Sequence, residues 1–523
     1  MFIPFRRRIN TQFPRALASS TADWPDGIVV LANRAPVRHE DGTKKTIRTV
    51  RSASGLVTAL EPLIERKGGV WVAHGAGAAD KRAVDSRDGV RVPAGKPRYR
   101  LRYVWLDDAT HRGYYFGFAN EGLWPLCHDV NVTPQFRDDD FAMYHAANEQ
   151  FAAAVADEAR GRHPLVLVQD YHFALAPRMI RRTMPASPIL TFWHIPWPRP
   201  RTLRACPWAF ELLDGLLASD VIGVQTDEDR FNFLACIESF VDAQVDYTMH
   251  TVRYRDHRTA VRVCPVGVDP ANHAARSAPP VHVCRAMLRR DLSVADHALV
   301  GIGIDRLDYT KGIQQKFLAV ERLLERHPDL PGRFVFLQVA EPSRDCLPAY
   351  QQAREEIVAT RDRVNARFGT ATYQPIHLRE HHHDAADVYA LYRAADFCFV
   401  GSLHDGMNLV AKEFVAARTD EQGVLVLSET AGAAHQLRAA LLVNPRAIDQ
   451  SANALAQAIA MSTAEQMKRM RLLRANVTTY DARWWAEHLV TETLGMCRHR
   501  QTAGTTHLGQ LPSGQQVIWS LGH

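Results

Sequence analysis

After an apolar run ending at Ile304 the chain reads Asp305-Arg306-Leu307-Asp308-Tyr309-Thr310-Lys311-Gly312, then repeats helically through Ile313, Phe317, Val320 and Leu324. A helix start already carries free N–H groups and partial positive charge, so Arg306 and Lys311 are unfavourable there unless an anion neutralises them. The chemistry this spacing suits is phosphate binding. Pairing of the two cations with Asp305 and Asp308 on a solvated loop is the plainer alternative.

A second strand-to-helix turn comes after Phe397–Val400: Ser402-Leu403-His404-Asp405-Gly406-Met407-Asn408-Leu409-Val410-Ala411-Lys412-Glu413. Gly406 lets backbone come close to a ligand, the N–H groups of Asn408, Leu409 and Val410 open a helix, and Glu413 lies about a turn inside it. Backbone donors suit a diphosphate, and a carboxylate suits the paired hydroxyls of a ribose. A capping Asp405 and an exposed helical Glu413 are the competing readings. Neither explains two such turns in one half of the chain.

The first half has its own set: Asn33-Arg34, Ser54-Gly55, Tyr114-Tyr115, Leu123-Trp124-Pro125, Gln169-Asp170-Tyr171-His172 and Trp193-His194-Ile195-Pro196-Trp197-Pro198. Aromatic faces stack on C–H surfaces while charged groups bind hydroxyls or phosphate, so the cluster reads as a sugar-like pocket.

Such residues need strands before them and helices after them. Apolar runs at Ile28–Ala32, Leu165–Val168, Ile189–Trp193, Val221–Val224, Leu299–Ile304, Arg333–Val339, Phe397–Val400 and Val424–Ser428 alternate with helical-period segments, the pattern of parallel sheets joined by right-handed crossovers. Runs this apolar are buried on both faces. The fold class is α/β, two doubly wound Rossmann-like domains, with ligands expected beyond the carboxyl ends of the strands. Turn-rich sequence over Pro265–Asp291 is the expected linker.

A length of 523 residues accommodates at least two cores. With 46% hydrophobic and 23% charged residues, disorder and fibrous architectures are excluded. The net charge of +6 is spread along the chain, unlike the basic stripe of a nucleic-acid binder. No apolar run nears the ~18 residues that cross a bilayer, and Phe5-Arg6-Arg7-Arg8 lacks the apolar stretch of a secretory signal. A cytoplasmic protein without nucleic-acid or membrane partners is expected, with homo-oligomerisation left open. The 8 cysteines contain no C-x-x-C, which argues against disulfides and zinc. Asp138-Asp139-Asp140 reads as a solvated acidic loop rather than a metal motif, and His381-His382-His383-Asp384 as an exposed turn.

Taken together, Asn33-Arg34, Tyr115, Leu123-Trp124-Pro125, Gln169–His172, His194-Ile195-Pro196, Val224-Gln225-Thr226, Arg306–Gly312, Ser343-Arg344 and Asp405–Glu413 resemble the trehalose-6-phosphate synthases of glycosyltransferase family 20, from about Ile28 to Gly495. The resemblance implies a GT-B fold with an active site in the cleft, and a helix around Asp481–Cys497 crossing back onto the first domain. It implies an acceptor domain over 27–268, a nucleotide-sugar domain over 269–480 and the crossover helix over 481–500, while composition itself points to a flexible basic extension over 1–26 and a flexible Gly- and Thr-rich tail over 501–523. Arg306, Lys311 and Gly406, Met407, Asn408, Leu409, Val410, Ala411, Lys412 and Glu413 would hold the nucleotide of UDP-glucose, with Gly55 near its phosphates. His194 and Asp405 would face the transferred glucosyl group, completing the catalytic set with Arg306 and Lys311. Arg34, Tyr115, Trp124, Asp170 and Arg344 would hold glucose 6-phosphate, the two arginines gripping its phosphate in the fork that guanidinium allows.

The implied reaction is glucosyl transfer with retention, giving α,α-trehalose 6-phosphate and UDP for trehalose biosynthesis and osmoprotection. It needs no side-chain nucleophile, cofactor or metal. The chain departs from the family pattern at Ser54 (often Gly), His74 and Phe141 (often Trp) and His404 (often Arg). A transferase using another phosphorylated acceptor, such as glycerol 3-phosphate, and a catalytically silent sugar-phosphate sensor are the alternatives. Intact Arg306, Lys311, Asp405 and Glu413 argue against the sensor. A hydride-transferring enzyme is disfavoured because no G-x-G-x-x-G comes after any strand.

Overall fold

The computed structural model describes residues 27–42, 46–51 and 55–506. The expected basic extension, Ser54 and the chain beyond Thr506 lie outside the described residues. Among the described residues no helix is long and apolar enough to cross a membrane.

The strands form two large sheets. At the centre of the first, Val221–Val224, Ile189–Phe192, Leu165–Gln169, Ile28–Leu31, Val70–His74 and Tyr99–Val104 run parallel in that order. The first four of these strands are buried throughout, Thr191 and Gln169 included, as coverage of both faces by crossover helices demands. Antiparallel strands finish the edges: Gly89–Val92 on one side, and Gln244–Asp246 with Thr251–Tyr254 outside His257–Val263 on the other. The run criterion misses Tyr99–Val104, where Arg100 and Arg102 alternate with buried Leu101 and Tyr103 and reach Glu158 on the covering helix. The second sheet is wholly parallel, in the order Ile376–Arg379, Phe334–Glu341, Leu299–Arg306, Phe397–Val400, Val424–Ser428, Leu441–Val443.

Two expectations are corrected by the fold. Asp138-Asp139-Asp140 is no loop but the first turn of the helix Asp138–Ala159, where carboxylates suit the positive end of the helix; Asp140 also pairs with Arg137 at 2.8 Å. The stretch Pro265–Asp291 is not turn throughout, because it contains the helices His273–Ser277 and Val281–Asp291, the latter burying Cys284 and Leu288.

The connection between the sheets is the short buried run Cys264–Val268. It is packed so tightly against the returning chain that a Cβ on Gly267 would lie 2.3 Å from the Asp481 carbonyl carbon, and the Val268 carbonyl accepts from the Ala482 N–H. The last helix, Ala482–Thr506, then lies back on the first sheet, with Trp485 edge-on to Phe192 at 5.0 Å and Leu489 over Gly223. It runs past Gln501, the expected start of a loose tail.

The turn after Val221–Val224 is closed by a capping box. Thr226 Oγ1 accepts from the Asp229 N–H at 3.1 Å, and the Asp229 carboxylate accepts from the Thr226 N–H at 3.0 Å. Thr226→Ala removes the first of these bonds and is expected to lower unfolding free energy by about 1 kcal/mol. A urea midpoint shifted downward at unchanged m-value is the measurement that checks it.

Candidate active site

The two arms of the site descend from strand ends of the two sheets. On the second sheet, Leu299–Arg306 delivers Arg306 and then the buried Asp308, whose Oδ1 accepts from the Thr310 N–H and hydroxyl at 3.0 and 2.9 Å. Its Oδ2 faces Arg306 at 3.8 Å and Arg344 at 3.6 Å. Of the solvated-loop pairing of the two cations with Asp305 and Asp308, only Arg306 with Asp308 forms, and it forms on a buried carboxylate. Asp305 turns inward to the fully buried Lys316, and Lys311 Nζ crosses to Asp405, 2.5 Å away. Burial pushes the Asp405 carboxyl up, but Lys311 outweighs it and holds the group down at about 2.

The 402–413 turn divides between cleft and scaffold. Asn408, in the left-handed region at φ 72, caps the helix Leu409–Ala417 through Oδ1 to the Ala411 N–H at 3.2 Å, while its Nδ2 donates to Asp405 at 3.2 Å. The first turn of that helix carries the N–H donors found at every helix start. At Gly406 a Cβ would lie 2.2 Å from the His194 carbonyl oxygen, so the missing side chain lets this turn seat against the other domain. Lys412 is corrected, because its buried ammonium donates to the Val266 carbonyl at 2.6 Å in the interdomain connection. Met407 and Ala411 are buried as support. Glu413 accepts from the Tyr392 hydroxyl at 3.1 Å, and burial pushes its carboxyl up to about 7.

On the first sheet, a π-helix over Arg112–Leu123 carries Tyr115, stacked between His111 at 5.4 Å and His172 at 5.8 Å. Wider helical turns of this kind are common at functional sites. Trp124 receives two guanidinium groups, Arg344 at 4.4 Å and Arg306 at 5.2 Å from its ring centre. Arg344 itself has φ 54 and a nearly inaccessible side chain, donating to Tyr171 Oη at 3.2 Å and to Tyr350 Oη. Arg34 is exposed and feels the charges of both arginines and of Glu341. Burial would raise the Tyr115 phenol, yet Arg344, Arg34 and Arg306 outweigh it and hold it below its ordinary value. Two guanidiniums, Arg306 and Arg344, share one buried carboxylate, Asp308, and with Arg34 close enough to feel both charges they make a pocket that favours a multiply charged anion.

Asp170 and His194 stand between the arms. Asp170 adopts φ 74, ψ 173, a conformation nearly restricted to glycine, which stores about 1–3 kcal/mol of strain. Its Oδ1 accepts from the His194 N–H at 3.1 Å, and burial pushes its carboxyl up to about 7. Burial pushes the His194 imidazole down to about 3 and so keeps it neutral; its Nε2 meets Gln169 Oε1 at 2.9 Å. Gly55 opens the helix Gly55–Lys67.

Several participants escape sequence reasoning. The spacing offers Asp308 only as an ion partner for the turn, and Tyr350 sits unannounced on the helix Pro348–Phe368, within 3.3 Å of Asp308. His128 packs tilted against Trp124 at 4.1 Å; its position four residues after Trp124 on one helix is the available signal.

Two Rossmann-like domains whose strand ends converge on one cleft, cationic turns on one wall and an arginine-aromatic pocket on the other, define the GT-B architecture of glycosyltransferases. Residues 26–494 match the model of glycosyltransferase family 20. The chain belongs to that family and is a glycosyltransferase. It is 36% identical over 476 residues to a trehalose-6-phosphate synthase of Mycolicibacterium gilvum, covering 90% of this chain and 93% of that protein. Among solved structures, a trehalose-6-phosphate protein from E. coli bound with UDP-2-fluoro glucose superposes with TM-score 0.79 at 29% identity, covering 89% of this chain and 98% of that one. An α,α-trehalose-phosphate synthase (UDP-forming) from Burkholderia xenovorans in complex with glucose-6-phosphate gives TM-score 0.78 at 28% identity, covering 89% and 99%.

Proposed function

We propose that the chain transfers glucose from UDP-glucose to glucose 6-phosphate with retention of anomeric configuration, releasing α,α-trehalose 6-phosphate and UDP. The observation that carries this reading is the cluster of Arg34, Arg306 and Arg344 around Trp124 and Tyr115, set beside the Lys311–Asp405 pair. The relatives solved with a UDP-glucose analogue and with glucose-6-phosphate support the same two substrates.

Arg306 and Lys311 stabilise negative charge that grows on the diphosphate as the glycosidic bond breaks, an effect strongest in a closed, dry cleft. The leaving diphosphate oxygen takes the proton of the incoming hydroxyl on the same face, so no side-chain nucleophile is required. Asp405, bound by Lys311 and Asn408, orients rather than attacks. Neutral His194 offers hydrogen bonding without a competing charge.

The test is incubation of the purified protein with UDP-glucose and, separately, glucose, glucose 6-phosphate, fructose 6-phosphate and glycerol 3-phosphate, with products identified by mass and anomeric coupling. A non-reducing α,α-linked disaccharide phosphate from glucose 6-phosphate is the expected product. Preference for glycerol 3-phosphate overturns the acceptor assignment, and absence of turnover with every acceptor favours the silent sensor. Activity is further expected to survive dialysis against chelator and assay without divalent ions. Loss restored by magnesium or manganese contradicts charge neutralisation by Arg306, Lys311 and helix N–H groups alone.

A further inference from the structure

His404 stands immediately before Asp405, yet its side chain does not belong to the donor arm. Its Nδ1 lies 2.6 Å from the backbone carbonyl oxygen of His128, across the cleft and 276 residues away in the chain. A carbonyl only accepts, so Nδ1 carries the proton and donates. The acceptor is the last residue of the short helix Trp124–His128, whose final carbonyls have no partner within the helix. His128 is buried, packs its ring tilted against Trp124 at 4.1 Å, and donates a 2.8 Å hydrogen bond from its own Nδ1 to the Trp124 carbonyl. Trp124 in turn bears Arg344 and Arg306 on its ring, while the residue next to His404 holds Lys311.

We propose that His404 is a positioning residue, an interdomain latch whose hydrogen bond to the His128 carbonyl keeps the Trp124 acceptor wall in register with the Asp405–Lys311 pair. The bond is made by side chain on one domain and backbone on the other, so it forms only when the cleft is closed. Its effect falls on alignment of the two substrates and not on affinity for either alone. A donor held without its acceptor aligned is open to attack by water, so loosening the latch shifts product from disaccharide phosphate toward free glucose. The inference rests on the glucosyl-transfer reading above.

The experiment compares the parent with His404→Ala and His404→Asn, the second placing an amide N–H near the position of Nδ1. Three readouts are taken: kcat and KM for UDP-glucose with glucose 6-phosphate, the ratio of transfer to UDP-glucose hydrolysis, and hydrogen exchange of the 123–129 segment without any sugar. His404→Ala is expected to lower kcat and the transfer ratio about tenfold each with KM for UDP-glucose little changed, and to speed exchange in 123–129. His404→Asn is expected to recover most of both. An unchanged transfer ratio overturns the latch, including where melting temperature falls, since that is the signature of a structural role. Unchanged exchange overturns it as well, as does an Asn variant no better than Ala. The exchange arm needs no substrate, so a parent that makes no disaccharide phosphate sinks the functional reading while the latch is still decided.

Discussion

Lys311→Ala is expected to lower kcat/KM for UDP-glucose by a factor of roughly 30 to 1,000, about 2–4 kcal/mol of transition-state stabilisation. The ammonium sits on a strand-to-helix turn, 2.5 Å from Asp405 and nearly closed off from solvent, where low polarisability of the surroundings strengthens its field. Its removal has a second consequence. Asp405 is left buried without the charge that holds it ionised, so its carboxyl rises and the donor turn loosens. Lys311→Ala combined with Asp405→Asn separates the two effects: the double variant recovers thermal stability but not turnover. Near-parental turnover of the single variant contradicts the donor-site assignment. The pair also sets a pH window. The Asp405 carboxyl lies lower in the folded protein than its ordinary 3.8, so its stabilisation is complete above that value and fades as pH falls toward about 2.

Replacement of Arg344 by Lys keeps the charge and removes the fork. Arg344→Lys is expected to lower kcat/KM for glucose 6-phosphate about 100- to 1,000-fold while the low activity expected with free glucose changes little. The reason is geometric. One planar guanidinium lies on Trp124 at 4.4 Å, donates to Tyr171 and Tyr350 in different directions, and faces Asp308 at 3.6 Å. An ammonium on a flexible stem satisfies one of these at a time. A pocket built around a phosphate also leaves its arginines facing one another when the phosphate is missing, so the parent is expected to discriminate against free glucose by roughly a hundredfold or more. An unchanged KM for UDP-glucose shows that the donor arm is intact in the variant. Undiminished preference for the phosphorylated sugar removes Arg344 from the acceptor site.

Much of the architecture was legible in the residues themselves. Ile28–Leu31, Leu165–Val168 and Val221–Val224 are unbroken apolar runs because helices cover both faces, and that burial leaves a mark no loop shares. Arg306, Lys311 and Asp405 stand out in the sequence as candidate site residues because they lie at or just beyond the ends of such strands, and the turn beyond a parallel strand opens onto the ligand edge.

Only the tertiary structure decided which charges meet. Lys311 ignores Asp305 and Asp308 and takes Asp405, 94 residues on, because Leu299–Arg306 and Phe397–Val400 are neighbours in the second sheet and their carboxyl ends emerge side by side. Asp305, one pleat deeper, meets Lys316 instead. Lys412 and Glu413 are adjacent on one helix, yet one reaches the interdomain connection and the other Tyr392, since consecutive helical residues point about 100° apart. Gly406, legible as a close approach, approaches the His194 carbonyl of the other domain, a partner no spacing names. Pattern and turn chemistry are local properties of a sequence, whereas the partner of a charge depends on sheet order and domain closure, which bring together residues that no local spacing connects.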